Sequence, residues 1–331
     1  MQDATNLRDS ANSVLEAGQQ LDHYRLDALI SESPLTRTFR ATDVDDGRTV
    51  AIKLPQPAME ADPVALDRFR REEEIGTSLH HPDVKRIFHE PHRSRLYMVL
   101  EWCDGRSLAE ILKQAGKLPP PRAIHIADGI LRALEYIHQR GVVHRDLQPE
   151  HIMVDDEDRI KLIDFGFASR QGARRLTFTS LTQALGSPDY ISPEQVRGKR
   201  GDARADLYAV GIMLWQMLIG RTPFTGRSPV AIMNARLSSN PPPLRLTEFP
   251  LAAQLQEVLC RATEREPRNR YASAHEFHSD LEHLDQVGVA HRPELSESGA
   301  RSTALAKIWL YSAIVVIPVV LFLLMLLFAR H

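Results

Sequence analysis

Hydrophobic and polar positions divide the chain into three zones. From Tyr24 to Trp102, short apolar runs rich in β-branched residues alternate with polar turns, as in RTVAIKL and RLYMVLEW, and this pattern predicts β-strands. One helix, DRFRREEEIGTSL, interrupts these strands. Beyond Gly105 the pattern becomes helical. RAIHIADGILRALEYIHQRG has apolar residues at helical spacing and predicts a helix that stops at a glycine, whereas LYAVGIMLWQMLIG is apolar nearly all round and predicts a buried central helix. The pattern indicates an α+β domain in which a small β-rich lobe and a larger helical lobe enclose a cleft.

The third zone is an unbroken apolar segment, IWLYSAIVVIPVVLFLLMLLFA, at residues 308–329. It carries no charge, and at about 1.5 Å per residue such a helix crosses a hydrocarbon core of roughly 30 Å. The alternative is a helix buried in a globular core, which needs protein around its whole circumference. Trp309 and Tyr311 lie at one edge, where amphipathic aromatic residues favour the membrane interface. We therefore expect a transmembrane helix.

Basic residues around this segment predict its orientation. Three of them, Arg292, Arg301 and Lys307, precede the segment, whereas Arg330 follows it, and this excess favours a cytoplasmic location for the large domain. We expect a single-pass, tail-anchored membrane protein. The chain then divides into a polar N-terminal segment, a globular domain, a flexible juxtamembrane tether and the transmembrane helix, at residues 1–22, 23–285, 286–307 and 308–329.

Composition narrows the class of protein. The chain has 331 residues, 43% of them hydrophobic, which is enough for one large two-lobed domain. A formal net charge of −2 provides no global field that would attract nucleic acid, so we expect no nucleic-acid partner. The two cysteines, Cys103 and Cys260, suit a reducing compartment, although a single bridge between them is also compatible with the sequence.

Four charged residues have the chemistry that phosphoryl transfer needs. Lys53 ends the apolar strand VAIK, where a cation reaches a phosphate or a carboxylate, and Glu72 in the following helix is its candidate partner. Asp146 lies in the loop of VVHRDLQPEHIMV, and Asp164 ends the strand in LIDFG. One carboxylate can accept a hydroxyl proton while the other holds a divalent cation across nucleotide phosphates. Taken singly, each of these residues is also typical of a solvated surface or a turn.

Taken together, residues 24–285 resemble a eukaryotic-like serine/threonine protein kinase of bacterial type. VAIK, HRD and DFG occur in the family's order, and SPE at Ser192–Glu194 is similar to the family's APE. Asp206 in RADLYAVG and Arg270 in PRNRY also match family positions. Small-molecule kinases share the catalytic carboxylates but are a weaker match. The resemblance implies a two-lobed protein-kinase-like fold, with the N-lobe at 23–101 and the C-lobe at 106–285.

The resemblance also implies roles for individual residues. Lys53 would bind the α and β phosphates of ATP and pair with Glu72. Asp146 would be the catalytic base, with Gln148 beside it, and Asp164 the main magnesium ligand. The remaining nucleotide contacts would come from the phosphate loop, from the roof and floor of the base pocket and from the segment joining the lobes: Ile30, Ser31, Ser33, Thr38, Ala51, Leu100, Glu101, Cys103 and Met153.

The phosphate loop departs from the family pattern. In ISESPLTRTF, Ser31, Ser33 and Thr36 occupy the positions of the family's three glycines, and Pro34 lacks an amide hydrogen. Glycine suits such a loop because a missing Cβ lets backbone amides approach phosphate. Hydroxyl groups of Ser33 and Thr36 offer substitute donors. We therefore expect nucleotide to bind, but less tightly than to a glycine loop.

The catalytic loop departs at two further positions. His151 replaces the family asparagine that gives a second magnesium an oxygen ligand, and Gln148 replaces a lysine that contacts the transferred phosphate. Magnesium prefers oxygen, whereas neutral imidazole suits manganese or zinc, so manganese is an alternative to magnesium. In the other interpretation, His151 simply forms a hydrogen bond within the loop and one metal site is lost. Replacing lysine by glutamine keeps a donor but removes a charge.

The retention of all four charged residues favours a membrane-anchored kinase that transfers the ATP γ-phosphate to serine or threonine of a protein substrate, with reduced or metal-altered activity. The alternative is a nucleotide-binding pseudokinase that acts as a membrane-tethered signalling scaffold. Between DFG and SPE, phosphorylation would order the segment through Arg145, unless this is an ordinary flexible loop. Its candidate hydroxyl residues are Thr177, Thr179, Ser180 and Thr182.

Overall fold

The computed structural model describes residues 15–170, 188–244 and 249–290, which form two lobes. The first lobe contains a six-stranded antiparallel sheet with the strand order β1-β2-β3-β4-β6-β5. Its strands are β1 (Gln20–Leu21), β2 (Tyr24–Glu32), β3 (Thr36–Asp43), β4 (Thr49–Pro55), β5 (Ile87–Phe88) and β6 (Met98–Glu101).

Alternating burial explains why these residues form strands. Along β3 and β4, Phe39, Ala41, Val50 and Ile52 are fully buried and pack in one hydrophobic cluster, while intervening polar residues of β3 are more exposed. A period of two places such residues on a single face of a sheet. The prediction of a β-rich first lobe is confirmed.

Two helices accompany this sheet, α1 (Pro57–Glu60) and α2 (Pro63–Thr77). Helix α2 begins at Asp62, whose carboxylate accepts hydrogen bonds from the backbone nitrogens of Val64 (2.9 Å) and Ala65 (3.3 Å). A capping carboxylate of this kind satisfies amides that have no partner within the helix. The buried face of α2 includes Glu72, which it directs at the sheet.

The second lobe is mainly helical, as predicted. Its helices are α3 (Leu108–Ala115), α4 (Pro120–Gln139), α5 (Pro193–Val196), α6 (Ala203–Ile219), α7 (Pro229–Ser238), α8 (Ala252–Ala262) and α9 (Ala274–Glu282). Single 3₁₀ turns occur at Pro149–His151, Pro267–Asn269 and Leu284–Gln286. Short strands complete it: β7 (Arg106–Ser107), β8 (Val142–Val143), β9 (Ile152–Val154), β10 (Ile160–Leu162) and β11 (Ser169–Arg170), in the sheets β10-β9-β7 and β11-β8.

Helix α6 is the centre of the second lobe. Nearly all of its residues are buried, including the polar Asp206, which agrees with the predicted buried helix. Asp202 caps its first turn through the backbone nitrogen of Arg204 at 2.9 Å. Gly220 ends the helix in the left-handed region (φ 85°), where a side chain would be strained and would crowd the Gly116 carbonyl. The helix therefore gives a rigid support for the loops above it.

The N-terminal segment contributes more than the sequence indicated. Residues 20–21 form β1 at the sheet edge, although this stretch fell within the segment described above as polar and separate. The Arg37 guanidinium donates to the Leu15 carbonyl at 2.6 Å and to Glu16 at 3.3 Å, so this part of the segment packs on the first lobe.

Within the residues that the structure describes, no helix is both long enough and apolar enough to cross a membrane. The predicted transmembrane helix at 308–329 and most of the predicted tether lie outside those residues. Cys103 and Cys260 are not joined by a disulfide, so the possible bridge between them is not formed.

Candidate active site

Lys53 and Glu72 form an ion pair at the back of the cleft between the lobes. The Lys53 Nζ atom donates to both carboxylate oxygens of Glu72, at 2.9 and 2.8 Å. Burial disfavours charge on the ammonium, but the carboxylates of Glu72 and Asp164 outweigh this effect and raise the pKa of Lys53. Strand β4 and helix α2 are thereby joined through a charged contact, and the lysine is held facing the cleft.

The catalytic loop between β8 and β9 is anchored on helix α6. The Asp206 carboxylate accepts hydrogen bonds from the backbone nitrogens of His144 (2.9 Å) and Arg145 (2.8 Å), and it contacts His138 Nε2 at 2.8 Å. Arg145 has a positive φ of 69°, an unfavourable conformation for a residue with a Cβ. A buried carboxylate therefore stabilises the strained loop that presents Asp146.

Four of the predicted site residues lie close together beside this loop: Asp146, Gln148, His151 and Asp164. His151 lies between the two carboxylates, with Nδ1 3.7 Å from Asp146 Oδ2 and Nε2 3.7 Å from Asp164 Oδ2. The Gln148 amide nitrogen is 3.4 Å from Asp146 Oδ2. Asp164 has a φ of 65° and accepts a hydrogen bond from the Gly166 backbone nitrogen at 3.0 Å. The structure thus brings together the residues that the sequence separated by up to eighteen positions.

Hydrogen bonding fixes the proton position on neutral His151. Its Nδ1 lies 2.7 Å from the Asp146 backbone carbonyl, and because a carbonyl only accepts, Nδ1 must carry a hydrogen. The Gln148 amide lies 3.3 Å from Nε2 and can donate to it. Nε2 therefore carries the one lone pair of the ring, which a bound metal ion would take in place of the Gln148 amide. Carboxylate oxygen suits magnesium, and the added imidazole nitrogen suits manganese as well, so the residues fit a divalent cation.

The two carboxylates have shifted pKa values in opposite directions. Burial raises the pKa of Asp146 to about 6, with contributions from the nearby charges of Asp164 and Glu150 and opposition from His151. Burial also acts on Asp164, but the Lys53 ammonium and His151 outweigh it and hold the pKa of Asp164 well below its usual range. Asp164 is thus a permanent anion, while Asp146 can take up a proton in mildly acidic conditions.

The predicted base-pocket residues lie on neighbouring strands around the cleft. Ala51 on β4 pairs with Leu100 on β6, and both side chains are buried in one cluster. Glu101 ends β6, and Cys103 follows it with a half-buried thiol. Met153 lies on β9, opposite the strand that leads to Asp164. Three further predicted residues belong to the β2–β3 hairpin, where Ser31 pairs with Thr38 and Ile30 is 52% exposed.

The tip of the β2–β3 hairpin is held by hydrogen bonds among its own polar groups. The Ser33 hydroxyl accepts hydrogen bonds from the backbone nitrogens of Leu35 (3.3 Å) and Thr36 (3.0 Å), and it also contacts the Thr36 hydroxyl at 3.2 Å. The Ser33 amide donates to the Thr36 carbonyl at 2.9 Å, and Pro34 has no amide hydrogen. Both hydroxyls that the sequence offered as phosphate donors are therefore engaged within the turn.

Beyond the catalytic loop, helix α5 is tied to the rest of the second lobe. Glu194 and Arg270 form a buried bidentate pair, with distances of 2.6 and 2.8 Å. The Gln195 amide donates to the Arg145 carbonyl at 3.0 Å, and the Arg145 guanidinium donates to the Ser169 hydroxyl. The four hydroxyl residues that we predicted to be phosphorylated lie outside the described residues.

Sequence reasoning missed one charged residue in the cleft. Lys85 is half-buried between the lobes, where it interacts electrostatically with Lys53, Glu72, Glu101 and Cys103. The available signal was its position in VKRIF, where a lysine interrupts an apolar run. Only the fold reveals that this lysine faces the cleft.

Comparison with known proteins identifies the family. Residues 29–283 match the protein kinase domain, so the chain belongs to the protein kinase family, within its eukaryotic-like serine/threonine branch. The resemblance drawn from VAIK, HRD, DFG and SPE is confirmed. The two-lobed architecture described above is the one that this family membership implies.

Three bacterial relatives are informative. The chain is 34% identical over 264 residues to a probable serine/threonine-protein kinase of Streptomyces coelicolor, covering 78% of this chain and 39% of that protein. It is 31% identical over 290 residues to PknB of Mycolicibacterium smegmatis, a serine/threonine-protein kinase, covering 86% and 46% respectively. It is 33% identical over 280 residues to the probable PknB of Corynebacterium glutamicum, covering 82% and 43%. The chain therefore spans less than half the length of these relatives.

Proposed function

We propose that the chain is a protein kinase that transfers the γ-phosphate of ATP to serine and threonine hydroxyls of a protein substrate. One observation carries this proposal: the ion pair of Lys53 with Glu72 and the carboxylates of Asp146 and Asp164 face the same cleft. The names of the curated bacterial relatives support serine/threonine specificity.

Each of these residues has a separate task in the proposed reaction. Asp146 accepts the proton of the substrate hydroxyl as the oxygen attacks the γ-phosphorus in line with the leaving diphosphate. Lys53 binds the α and β phosphates and is held in position by Glu72. The Gln148 amide, next to Asp146, orients the hydroxyl but adds no positive charge to the transition state. We expect the missing charge to slow transfer.

Asp164 and His151 are the residues that we propose to hold the divalent cation. A divalent cation held there would neutralise part of the phosphate charge. Asp164 would supply an anionic oxygen, and His151 would supply the Nε2 lone pair, which the cation would take in place of the Gln148 amide. This mixed donor set favours manganese over magnesium at the position near His151.

A nucleotide-binding pseudokinase is the second candidate function. It is favoured by the hairpin tip, where the amides of Ser33, Leu35 and Thr36 already have acceptors and therefore do not face a phosphate. Weak phosphate binding would lower the transfer rate without changing the fold. In that case the protein would act through partners that recognise its shape.

We further propose that residues 308–329 anchor the kinase domain to a membrane, with the domain on the cytoplasmic side. The uncharged sequence and the excess of basic residues before it support this arrangement. Anchoring would restrict substrates to proteins at the same membrane surface.

Phosphoamino-acid analysis of the protein incubated with ATP tests the proposed specificity. We expect phosphoserine and phosphothreonine in the wild-type protein, and no phosphorylation in Asp146→Asn, which keeps the size of the side chain but removes the base. Phosphotyrosine as the dominant product, or equal phosphorylation of the variant, would contradict the proposal.

A further inference from the structure

The backbone around Lys85 places this residue inside the cleft. Its backbone nitrogen donates to the Leu162 carbonyl at 2.9 Å, two residues before Asp164. Two residues after Lys85, Ile87 pairs with Leu100 and packs against Gly76 of helix α2 so closely that a Cβ on this glycine would collide. Lys85 therefore lies between the strand that leads to Asp164, helix α2 and strand β6.

The neighbours of the Lys85 ammonium are residues of the proposed nucleotide site. The Arg86 carbonyl, in the residue next to Lys85, accepts the Glu101 backbone amide at 2.9 Å, and the Lys85 ammonium interacts electrostatically with Lys53, Glu72 and Glu101. Cys103 and Glu101 lie at the base end of the cleft, where the family resemblance places contacts to the nucleotide base. Lys53 and Glu72 lie toward the phosphate end. The backbone contact between Arg86 and Glu101 thus places Lys85 beside the base end of the cleft.

The carboxylates near Lys85 already accept hydrogen bonds or form ion pairs with other groups. Both Glu72 oxygens accept from Lys53. One Glu101 oxygen is 2.7 Å from Lys161 Nζ, and the other accepts the Arg86 backbone amide at 3.0 Å. Burial raises the pKa of the Cys103 thiol, so it stays uncharged at neutral pH. Among the described residues, the Lys85 side chain forms neither a hydrogen bond nor an ion pair.

A partly desolvated ammonium without an acceptor is energetically unfavourable. Burial lowers the pKa of Lys85, as expected for a cation that loses water and gains no close anion. Replacing such a lysine with an apolar residue of similar length would relieve this cost. A bound ligand that offers an acceptor at this point would relieve it too, and would gain affinity from a charge-assisted hydrogen bond.

The chemistry of purine edges decides which base suits this donor. An ammonium only donates hydrogen bonds. Guanine presents two adjacent acceptors, O6 and N7, and lysine is a common partner of this pair. Adenine presents N7 beside an amino group that is itself a donor, so a lysine meets one acceptor and one competing donor.

We propose that Lys85 donates to the O6 and N7 edge of a guanine base, so that the cleft accepts GTP as well as ATP as phosphate donor. This inference rests on the proposed function, because it requires a nucleotide in the cleft. It adds a base preference that the family resemblance alone does not imply, since the nucleotide contacts that the resemblance implies do not include Lys85.

Nucleotide affinities of the detergent-solubilised full chain test the proposal. ATP, GTP and ITP would be titrated with manganese present, for the wild type and for Lys85→Met. ITP has the guanine O6 but lacks the 2-amino group, so it isolates the proposed contact. Lys161→Met is the matched control, because it removes a nearby ammonium that already pairs with Glu101.

We expect wild-type affinities for GTP and ITP within about threefold of the affinity for ATP. Lys85→Met should weaken GTP and ITP at least tenfold and ATP less than threefold, which corresponds to loss of about 1.4 kcal/mol or more for the guanine contact. Lys161→Met should leave the ratio of GTP to ATP affinity unchanged. Without nucleotide, Lys85→Met should melt at the same or a higher temperature than the wild type.

Three results would overturn the inference, and they separate it from the proposed function. Tight ATP binding with GTP and ITP at least tenfold weaker in the wild type would refute the base preference alone. An unchanged GTP to ATP ratio in Lys85→Met would remove the role of this residue, as would a lower melting temperature of the nucleotide-free variant. Absence of binding by all three nucleotides would refute the proposed function together with the inference.

Discussion

Asp146 changes from an acid to a base near the lower edge of the physiological pH range, because burial raises its pKa to about 6. Only the deprotonated carboxylate can accept a hydroxyl proton. Asp164, in contrast, stays ionised throughout this range because Lys53 and His151 outweigh its burial. The site therefore keeps its cation-binding charge when the pH falls and loses its base.

We predict that kcat/KM for phosphate transfer rises with pH through about 6 and levels off near 7, because Asp146 must lose its proton. The measurement is a pH profile from 5 to 8 at a fixed, saturating metal concentration. Thermal melting at each pH controls for unfolding. A flat profile between pH 5 and 7 would show that Asp146 is not the titrating base.

The proton position on His151 leads to a second prediction at this scale. His151→Asn replaces the imidazole nitrogen by an amide oxygen, which magnesium prefers. We expect the ratio of magnesium to manganese activity to rise about tenfold, and the stabilisation of the ADP complex by manganese, measured as a melting shift, to fall relative to magnesium. A tenfold change corresponds to about 1.4 kcal/mol.

His125→Asn provides the matched control, since His125 is exposed on helix α4 and distant in sequence from the catalytic loop. It should leave the metal preference as it is in the wild type. Equal metal preference in His151→Asn and the wild type would mean that His151 only forms a hydrogen bond within the loop.

At the scale of elements, the β2–β3 hairpin has a tip that is closed by its own hydrogen bonds. Ser33 accepts the amides of Leu35 and Thr36, and the Gln56 side chain donates to the Ser33 carbonyl. In a glycine loop these amides would be available to phosphate oxygens. The hydrogen bonds of the tip thus use amides that a phosphate-binding loop would leave available.

Changing this tip should restore affinity. In Ser33→Gly combined with Pro34→Gly, the hydroxyl no longer occupies two amides and a third amide is added. We expect the ATP dissociation constant to fall about tenfold, because hydrogen bonds to a charged group contribute about 1.5–3 kcal/mol each before the entropy of ordering the loop is subtracted. Calorimetric titration measures the change.

Asp45→Gly is the control for added flexibility, since Asp45 lies exposed in the turn at the opposite end of β3. It should not alter the affinity for ATP. Unchanged or weaker binding by the Ser33 and Pro34 double variant would contradict the account of the hairpin.

Elements were easier to predict from the sequence than side-chain contacts. Helix α4 follows from apolar periodicity and helix α6 from a segment that is apolar nearly all round. The order of VAIK, HRD and DFG indicated that Lys53, Asp146 and Asp164 belong to one fold. Periodicity reports burial along a single element, so it identifies strands and helices directly.

Contacts between distant elements could not be predicted in this way. The Ser33 hydroxyl accepts the Thr36 amide because that amide has no partner within the hairpin ladder. Lys85 reaches the cleft because its backbone nitrogen pairs with the Leu162 carbonyl, and the sequence does not show this pairing. The strand at residues 20–21 was missed because two residues are too few to show a period. These features arise from tertiary packing, which local sequence does not encode by itself.

At the scale of the whole molecule, the residues proposed to carry out phosphate transfer all face the cleft between the two lobes. The described residues provide the cleft, and the apolar segment at 308–329 provides a proposed attachment to a membrane. A kinase held at a surface meets substrates at a high local concentration, so weak intrinsic activity can still be effective.

We predict that the full chain sediments with membranes and resists extraction by high salt and alkaline carbonate, because an inserted apolar helix is not held by charge. Removal of residues 308–331 should release the protein into the supernatant. Protease added to intact cells should leave the kinase domain uncut. Recovery of the full chain in the salt wash would contradict the proposed anchor.

The central claim is that the site transfers phosphate, and its most direct test is transfer from γ-labelled ATP by the purified full chain. Incorporation would be followed into the chain itself and into a generic basic protein, with magnesium and manganese in parallel and Asp146→Asn as control. We predict slow transfer that is faster with manganese and absent in the variant. Equal labelling of wild type and variant, or none with either metal while ATP still raises the melting temperature, would contradict the claim and favour a pseudokinase.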